Sequence, residues 1–185
     1  HSMRNIIILV IIFSAVLPVQ GISQKKDKKK KSKQEKAEVT EQDRFMQADL
    51  FVQAVREREL GNLERSRQMF TDAIQLNPED PAAYYENARV HQALARNDEA
   101  LVLAKQAVDL DNQNKWYKVL YADLAKVNNQ FEEYIRVYEE LVEAYPTDLT
   151  FLNQLAFAYF YTGDYQHAVD VYQRIEEMVG VNEAL

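Results

Sequence analysis

The chain holds no cysteine, four glycines, four prolines and three histidines in 185 residues. Without cysteine there is no disulfide, no thiolate metal site, no cysteine nucleophile and no cysteine for a lipid anchor. Gly and Pro make eight residues of 185, against a usual share of about 12%. So few turn formers cannot supply the tight turns of an all-β fold, and an all-α fold is expected. A zinc site needs three or four ligands at short spacing, and His91 and His167 stand far apart. No Gly-rich phosphate loop and no Gly-x-Ser-x-Gly elbow is present. Pairs such as Glu132-Glu133 and Glu139-Glu140 read as solubilising helix faces. The expectation is a non-enzymatic chain with no cofactor and no metal.

The formal charge of −7 is uneven. Residues 1–40 carry nine Lys and Arg against three Asp and Glu, a balance of +6. Residues 41–185 carry thirteen against twenty-six, a balance of −13. Two physically different segments are implied. Met3 reads as the initiator, with His1 and Ser2 as non-native or upstream residues. Arg4 precedes an apolar run over 6–19, which suits a signal-peptide h-region and is short of the ~20 residues of a bilayer span. Pro18 breaks the run, and cleavage after Gly21 is expected, making 1–21 a signal peptide. The alternative is an uncleaved inner-membrane anchor. The lysines that follow favour it, because positive charge beside an apolar segment tends to stay cytoplasmic.

Those lysines are Lys25, Lys26, Lys28, Lys29, Lys30, Lys31, Lys33 and Lys36, in a linker over 22–40. Low hydrophobicity and high charge predict a disordered linker. An electrostatic tether to an anionic membrane or glycan surface is the sharper reading, at roughly 1 kcal/mol per lysine near a surface. Nucleic acid is not an expected partner, since the run has no aromatics to stack on bases.

What the body does have is aromatic material, with 11 Tyr and 8 Phe in the whole chain, and a period. Four copies of 34 residues align over 47–80, 81–114, 115–148 and 149–182. One slot reads Ala54, Ala88, Ala122, Ala156; others read Ser66, Ala100, Tyr134, Ala168 and Phe70, Ala104, Tyr138, Tyr172. A further slot reads Ala73, Ala107, Leu141, Ile175. A breaker slot reads Pro78, Asn112, Pro146, Gly180, and a mid-repeat turn begins at Gly61, Ala95, Asn129 and Gly163. Each copy reads as two helices, with small residues on the first allowing the second to approach. Thr40 with Asp43 forms a capping box. Asp80 before Pro81, Asn114 and Asp148 cap later first helices. Asp98 and Asp164 cap or favour second helices, and Gly61 and Gly163 suit left-handed C-caps.

This pattern resembles the tetratricopeptide repeat (TPR) family. The resemblance implies an all-α, right-handed α-solenoid of four helix-turn-helix repeats, about eight helices. Signal-like start, lysine run and repeats together resemble exported TPR proteins of Gram-negative bacteria. The large apolar slot of the first helix holds Leu50, Tyr84, Lys118 and Leu152. Lys118 there, with Trp116 and Tyr117 beside it, suggests a locally shifted third first helix. A final helix over about 165–179 should present Val169, Tyr172, Ile175 and Val179 as an uncapped end face. Gly180 onward reads as a turn and the start of a further helix over 183–185, which implies either that the chain continues in its gene or that another segment or protein covers this face.

The resemblance also implies a concave groove lined by the second, fifth, ninth and twelfth residues of each repeat. Here these are Ala48, Phe51, Val55, Arg58; Ala82, Tyr85, Arg89, Gln92; Trp116, Val119, Asp123, Lys126; and Thr150, Asn153, Phe157, Phe160. Aromatics and Arg dominate interface hot spots, which singles out Tyr85, Arg89, Trp116, Phe157 and Phe160. The competing reading places Trp116 and Phe157 in the core of irregular helices. The Lys/Asn clamp by which some TPRs hold a C-terminal carboxylate is absent, its slots holding Phe51, Val55, Val119 and Asp123. His91 fills a slot that TPRs give to a packed aromatic, and His167 is expected on the surface. The expected function is a protein-interaction scaffold of the bacterial cell envelope, periplasmic or outer-membrane associated, binding a peptide or helix. The alternatives are a membrane-anchored cytoplasmic adaptor and the N-terminal sensory part of a longer signalling protein.

Overall fold

The computed structural model describes residues 39–183. The signal peptide over 1–21, nearly all of the lysine linker and residues 184–185 lie outside the described residues. Eight α-helices and no strand occur among the described residues: α1 (Glu41–Glu59), α2 (Leu63–Leu76), α3 (Pro81–Ala93), α4 (Asn97–Leu110), α5 (Lys115–Val127), α6 (Phe131–Ala144), α7 (Leu149–Thr162) and α8 (Tyr165–Glu183). Each helix packs on the next, so α1–α2, α3–α4, α5–α6 and α7–α8 are helix pairs and each pair leans on its successor.

The ends of the helices follow local chemistry. Thr40 and Asp43 form the reciprocal capping box, with Asp43 N–H donating to Thr40 Oγ1 at 3.1 Å. In return the Thr40 hydroxyl and backbone N–H donate to Asp43 Oδ2, at 2.6 and 3.0 Å, and hold its carboxyl below the usual range. Asp80, Asn114 and Asp148 each accept a backbone N–H two residues on, at 3.0, 3.0 and 2.9 Å. Asp98 lies in the first turn of α4, where the helix dipole favours a carboxylate. Asp164 Oδ1 accepts His167 N–H at the start of α8.

All four mid-repeat turns share one backbone form. Gly61, Ala95, Asn129 and Gly163 have φ of 82°, 57°, 59° and 84°. In each, the left-handed residue donates three residues back, and its successor donates five residues back. Asn62 N–H reaches Glu57 O, Arg96 reaches His91, Gln130 reaches Ala125 and Asp164 reaches Tyr159. These are Schellman closures, satisfying carbonyls that a helix end otherwise strands. Glycine adopts this geometry freely, whereas Ala95 holds it against steric cost.

The core follows the repeat. Ala54, Ala88, Ala122 and Ala156 are fully buried where paired helices touch. Ser66 is buried too, and its hydroxyl donates to Ala54 O at 2.7 Å. One apolar cluster joins α3 to α7 through Ala88, Tyr121, Leu124, Tyr134, Tyr138, Phe151 and Leu152, with Ile175 of α8 packed onto it. A smaller cluster of Ala54, Phe70 and Val90, flanked by Phe51 and Val55, holds α1 and α2 to α3.

Three expectations need correction. The third first helix is not shifted, because α5 begins at Lys115, one 34-residue period after α3 begins at Pro81. Lys118 fits the apolar slot by burying its stem and sending its ammonium to Glu140 Oε2 at 2.7 Å. Gly180 does not end the last helix, which runs on to Glu183, so no new helix starts there. A helix-interior glycine costs only about 1 kcal/mol relative to alanine, and Val171, Ile175 and Met178 anchor the segment before it. Ile175 accordingly faces the core and is not part of the outward face.

Candidate functional site: the face of the first helices

α1, α3, α5 and α7 lie side by side, and four of the predicted groove residues make contacts across the seams. Arg58 of α1 pairs with Glu86 of α3. Tyr85 of α3 packs on Tyr117 of α5, ring centroids 5.0 Å apart. Lys126 of α5 sits over the Phe157 ring of α7, 4.7 Å from its centroid. Arg58, Tyr85, Lys126 and Phe157 thus each take part in a contact between neighbouring first helices.

The contacts fall into two clusters. At the α1–α3 end, Glu86 accepts from both Arg58 and Arg89, and the Arg89 guanidinium also lies over Tyr85 at 5.7 Å. The Arg58 guanidinium is half-buried, and ion pairing with Glu59 and Glu86 outweighs the desolvation that opposes its charge. At the α5–α7 end, Lys126 lies over the Tyr134 and Phe157 rings. Phe157 stacks on Tyr161, which stacks on Phe131. Asp123 forms the floor there. Burial pushes its carboxyl above the usual range against the pull of Lys126, and Tyr138 Oη donates to it at 3.4 Å. Burial and the Asp123 charge drive the Tyr138 and Tyr134 phenols far above their ordinary range, so both remain hydrogen-bond donors. Tyr134 Oη donates to Gln154 Oε1 at 2.5 Å.

The remaining slots behave differently. Trp116 is 59% exposed at the start of α5, with Lys115 Nζ 5.0 Å from its ring and 5.1 Å from Tyr145. Trp116 is thus a surface residue, and Phe157 and Phe160 are exposed as well. Phe160 meets Tyr165 edge to face across the α7–α8 turn. Phe51 departs from expectation: it turns toward Phe70 at 5.4 Å and, with Val55, flanks the small core cluster. Gln92 is exposed. The Asn153 amide donates to Leu149 O within its own helix.

Glu86, Tyr117, Tyr161 and Lys115 touch predicted groove residues without falling in the predicted slots. The signal for Glu86 was its place beside Tyr85 and three residues before Arg89. His91 is buried as expected, and burial lowers its pKa. His167 is exposed, with Nδ1 2.7 Å from Asp164. Among the described residues, no group of three or more His, Asp or Glu could hold a metal ion.

Family models described as tetratricopeptide repeat match residues 57–124 and 149–178. The chain belongs to the tetratricopeptide repeat family. Solved TPR structures align with it at low identity, which shows a shared fold. MamA from Desulfovibrio magneticus RS-1 aligns with TM-score 0.63 and 18% identity over 73% of this chain and 76% of its own. YrrB, described as a TPR protein with an unusual peptide-binding site, aligns at 0.62 and 17% over 70% and 66%. The first TPR of Spaghetti (RPAP3), bound to the HSP90 peptide SRMEEVD, aligns at 0.59 and 16% over 64% and 94%. Aspartyl/asparaginyl beta-hydroxylase of Mus musculus is 23% identical over 175 residues, covering 89% of this chain. The chain spans 24% of the length of that relative.

Proposed function

We propose that this chain is a non-enzymatic scaffold that binds an extended segment or helix of a partner protein across the face of its first helices. The carrying observation is the seam-crossing arrangement Arg58–Glu86, Tyr85–Tyr117 and Lys126–Phe157. It joins the four first helices into one preordered surface, which lowers the ordering cost of binding. Trp116, Phe157 and Phe160 are exposed aromatics on that surface, the residue types that dominate hot spots. Peptide binding by YrrB and by the RPAP3 domain, as their descriptions state, supports this reading. Glu86 neutralises part of the Arg58 and Arg89 charge, so an aromatic, near-neutral partner segment fits better than a strongly acidic one. The double variant Arg89→Ala/Trp116→Ala tests the assignment in a pull-down from envelope extract. Loss of partners with unchanged helicity is expected; equal recovery by variant and wild type sinks it.

The envelope setting is part of the proposal and rests on residues 1–21 alone. N-terminal sequencing of cell-derived protein tests it: a start at Ile22 is expected, and an intact Met3 start favours the anchored adaptor. Surface tethering by Lys25–Lys36 predicts salt-sensitive binding to anionic vesicles that disappears when the run is deleted.

A further inference from the structure

Asp123 is a half-buried carboxylate of α5, in the middle of the first-helix face. The helices around it leave it without a counterion. α7 contains no charged residue. In α3 the one arginine, Arg89, is taken by Glu86 at 3.2 Å. In α6 the one cation, Arg136, is held by Glu133 and Glu140 at 2.7 and 2.6 Å. Within α5, Lys118 goes to Glu140, and Lys115 lies over the Trp116 and Tyr145 rings. Lys126, one turn on from Asp123, lies over the Tyr134 and Phe157 rings. Among the described residues Asp123 makes no ion pair, and its one hydrogen bond is the 3.4 Å contact from Tyr138 Oη to Oδ1.

Arg89 occupies the same slot one 34-residue period earlier, and its counterion Glu86 stands three residues before it. Three residues before Asp123 stands Leu120. One place on the face thus holds a neutralised charge in the second repeat and an uncompensated one in the third. Lys126 does not supply the missing charge, since burial of the Asp123 carboxyl outweighs its pull. Oδ2 accepts no hydrogen bond among the described residues, and a carboxylate in such a setting gains from a charge-assisted bond. Phe157, in the same slot on α7, is 39% exposed, and Lys126 shows that a cation can sit on its ring, at 4.7 Å.

We propose that Asp123 selects the partner by taking one lysine or arginine side chain of the bound segment as its counterion, beside the exposed Phe157 ring. This rests on the first-helix face being the partner surface. It adds a rule of specificity: the segment carries a basic residue at one fixed position, and an acidic residue there is rejected. A guanidinium can stack on the ring while it bonds the carboxylate, so arginine fits at least as well as lysine.

A random heptapeptide library displayed on phage and selected on the full chain supplies the probe. Peptides that fail to bind Arg89→Ala/Trp116→Ala are the groove-dependent set, and they should share a lysine or arginine at one position. One of them, made as a labelled peptide, should bind Asp123→Asn about tenfold or more weakly, on the scale of an interface hot spot. The asparagine carbonyl still accepts from Tyr138, and an unchanged thermal melt checks that the fold is kept. Replacing the peptide's basic residue by norleucine should cost the wild type the same factor and cost Asp123→Asn nothing further, the mark of a direct pair. Asp123→Lys should prefer the peptide with glutamate at that position. If no groove-dependent peptide emerges, the first-helix reading fails and this one with it. If such peptides share no basic position, the Asp123 assignment alone is overturned. Equal binding by Asp123→Asn, or of the norleucine peptide by wild type, overturns it in the same way. The chain's own Lys25–Lys36 run is the other source of cations. If deleting it tightens peptide binding to wild type but not to Asp123→Asn, that run holds the carboxylate and the partner assignment is overturned.

Discussion

α1 and α8 are the outer helices of the same array, yet they present different chemistry at repeat-equivalent depth. α1 carries Asp49, Gln53 and Arg56 at positions where α7 carries Phe151, Leu155 and Ala158. Those three residues of α7 are buried, whereas their α1 counterparts are exposed. α8 instead keeps the aromatic and aliphatic residues of an interior repeat. Phe45 and Val52 are exposed on α1 as well, so the difference between the two helices lies at these three positions. The interiors differ in the same sense. α1 and α2 are held by a cluster built on Phe70, while the cluster from α3 to α7 is larger and rich in tyrosine.

The largest expected effect tests the interiors. Phe70→Ala should cost about 3–5 kcal/mol by leaving a cavity in the small cluster. Hydrogen exchange should speed up in α1 and α2 while α5 to α7 stay protected. Uniform loss of protection would mean that the two clusters unfold as one, and the comparison would fail. Next come the turns. Gly163→Ala should cost about 1–2 kcal/mol, because it puts a Cβ on a residue at φ 84°. Ala95→Gly should gain somewhat less, and denaturant melts of the two variants read both.

Third is the pH response of His91 in α3. Burial lowers its folded pKa, so the unfolded chain takes the proton first as pH falls. Stability should be full above the unfolded value of about 6.5 and decline as pH drops below it. His91→Leu should flatten that decline in thermal melts from pH 7 to pH 5. The smallest effect on stability is at the ends. Val169→Lys/Tyr172→Lys should change unfolding free energy by no more than about 0.5 kcal/mol, as exposed substitutions usually do. It should still lower light scattering on concentration. Asp49→Leu, which makes α1 resemble the interior, should raise it.

Helix positions were readable in the sequence because their signals are local: Thr40 with Asp43, Asp80 before Pro81, and glycine at 61 and 163 act within a few residues. Gly180 misled for a related reason. Its weak local preference is outweighed by distant packing of Ile175 and Met178. The first-helix face was partly readable. Arg58, Tyr85, Arg89, Lys126 and Phe157 fall in periodic slots and do meet their neighbours. Glu86 and Tyr117 lie outside those slots, and their roles come from whichever residue the adjacent repeat happens to offer. Phe51 turned inward because Phe70 gives it an aromatic partner that the equivalent Tyr85 lacks, Ala104 standing where Phe70 does. A period describes what repeats share, so it is silent on what distinguishes one seam from the next.

The four Schellman closures have a bearing on how such a chain can change length. Gly61, Ala95, Asn129 and Gly163 carry the same backbone geometry at intervals of one period. Joining Ala95 directly to Gln130 would recreate a turn of the same form, one repeat shorter. Duplication between the same points would add one. Unequal genetic exchange at these turns can lengthen or trim the protein without requiring a new backbone conformation, leaving selection to act only on the side chains that meet at the fresh seam.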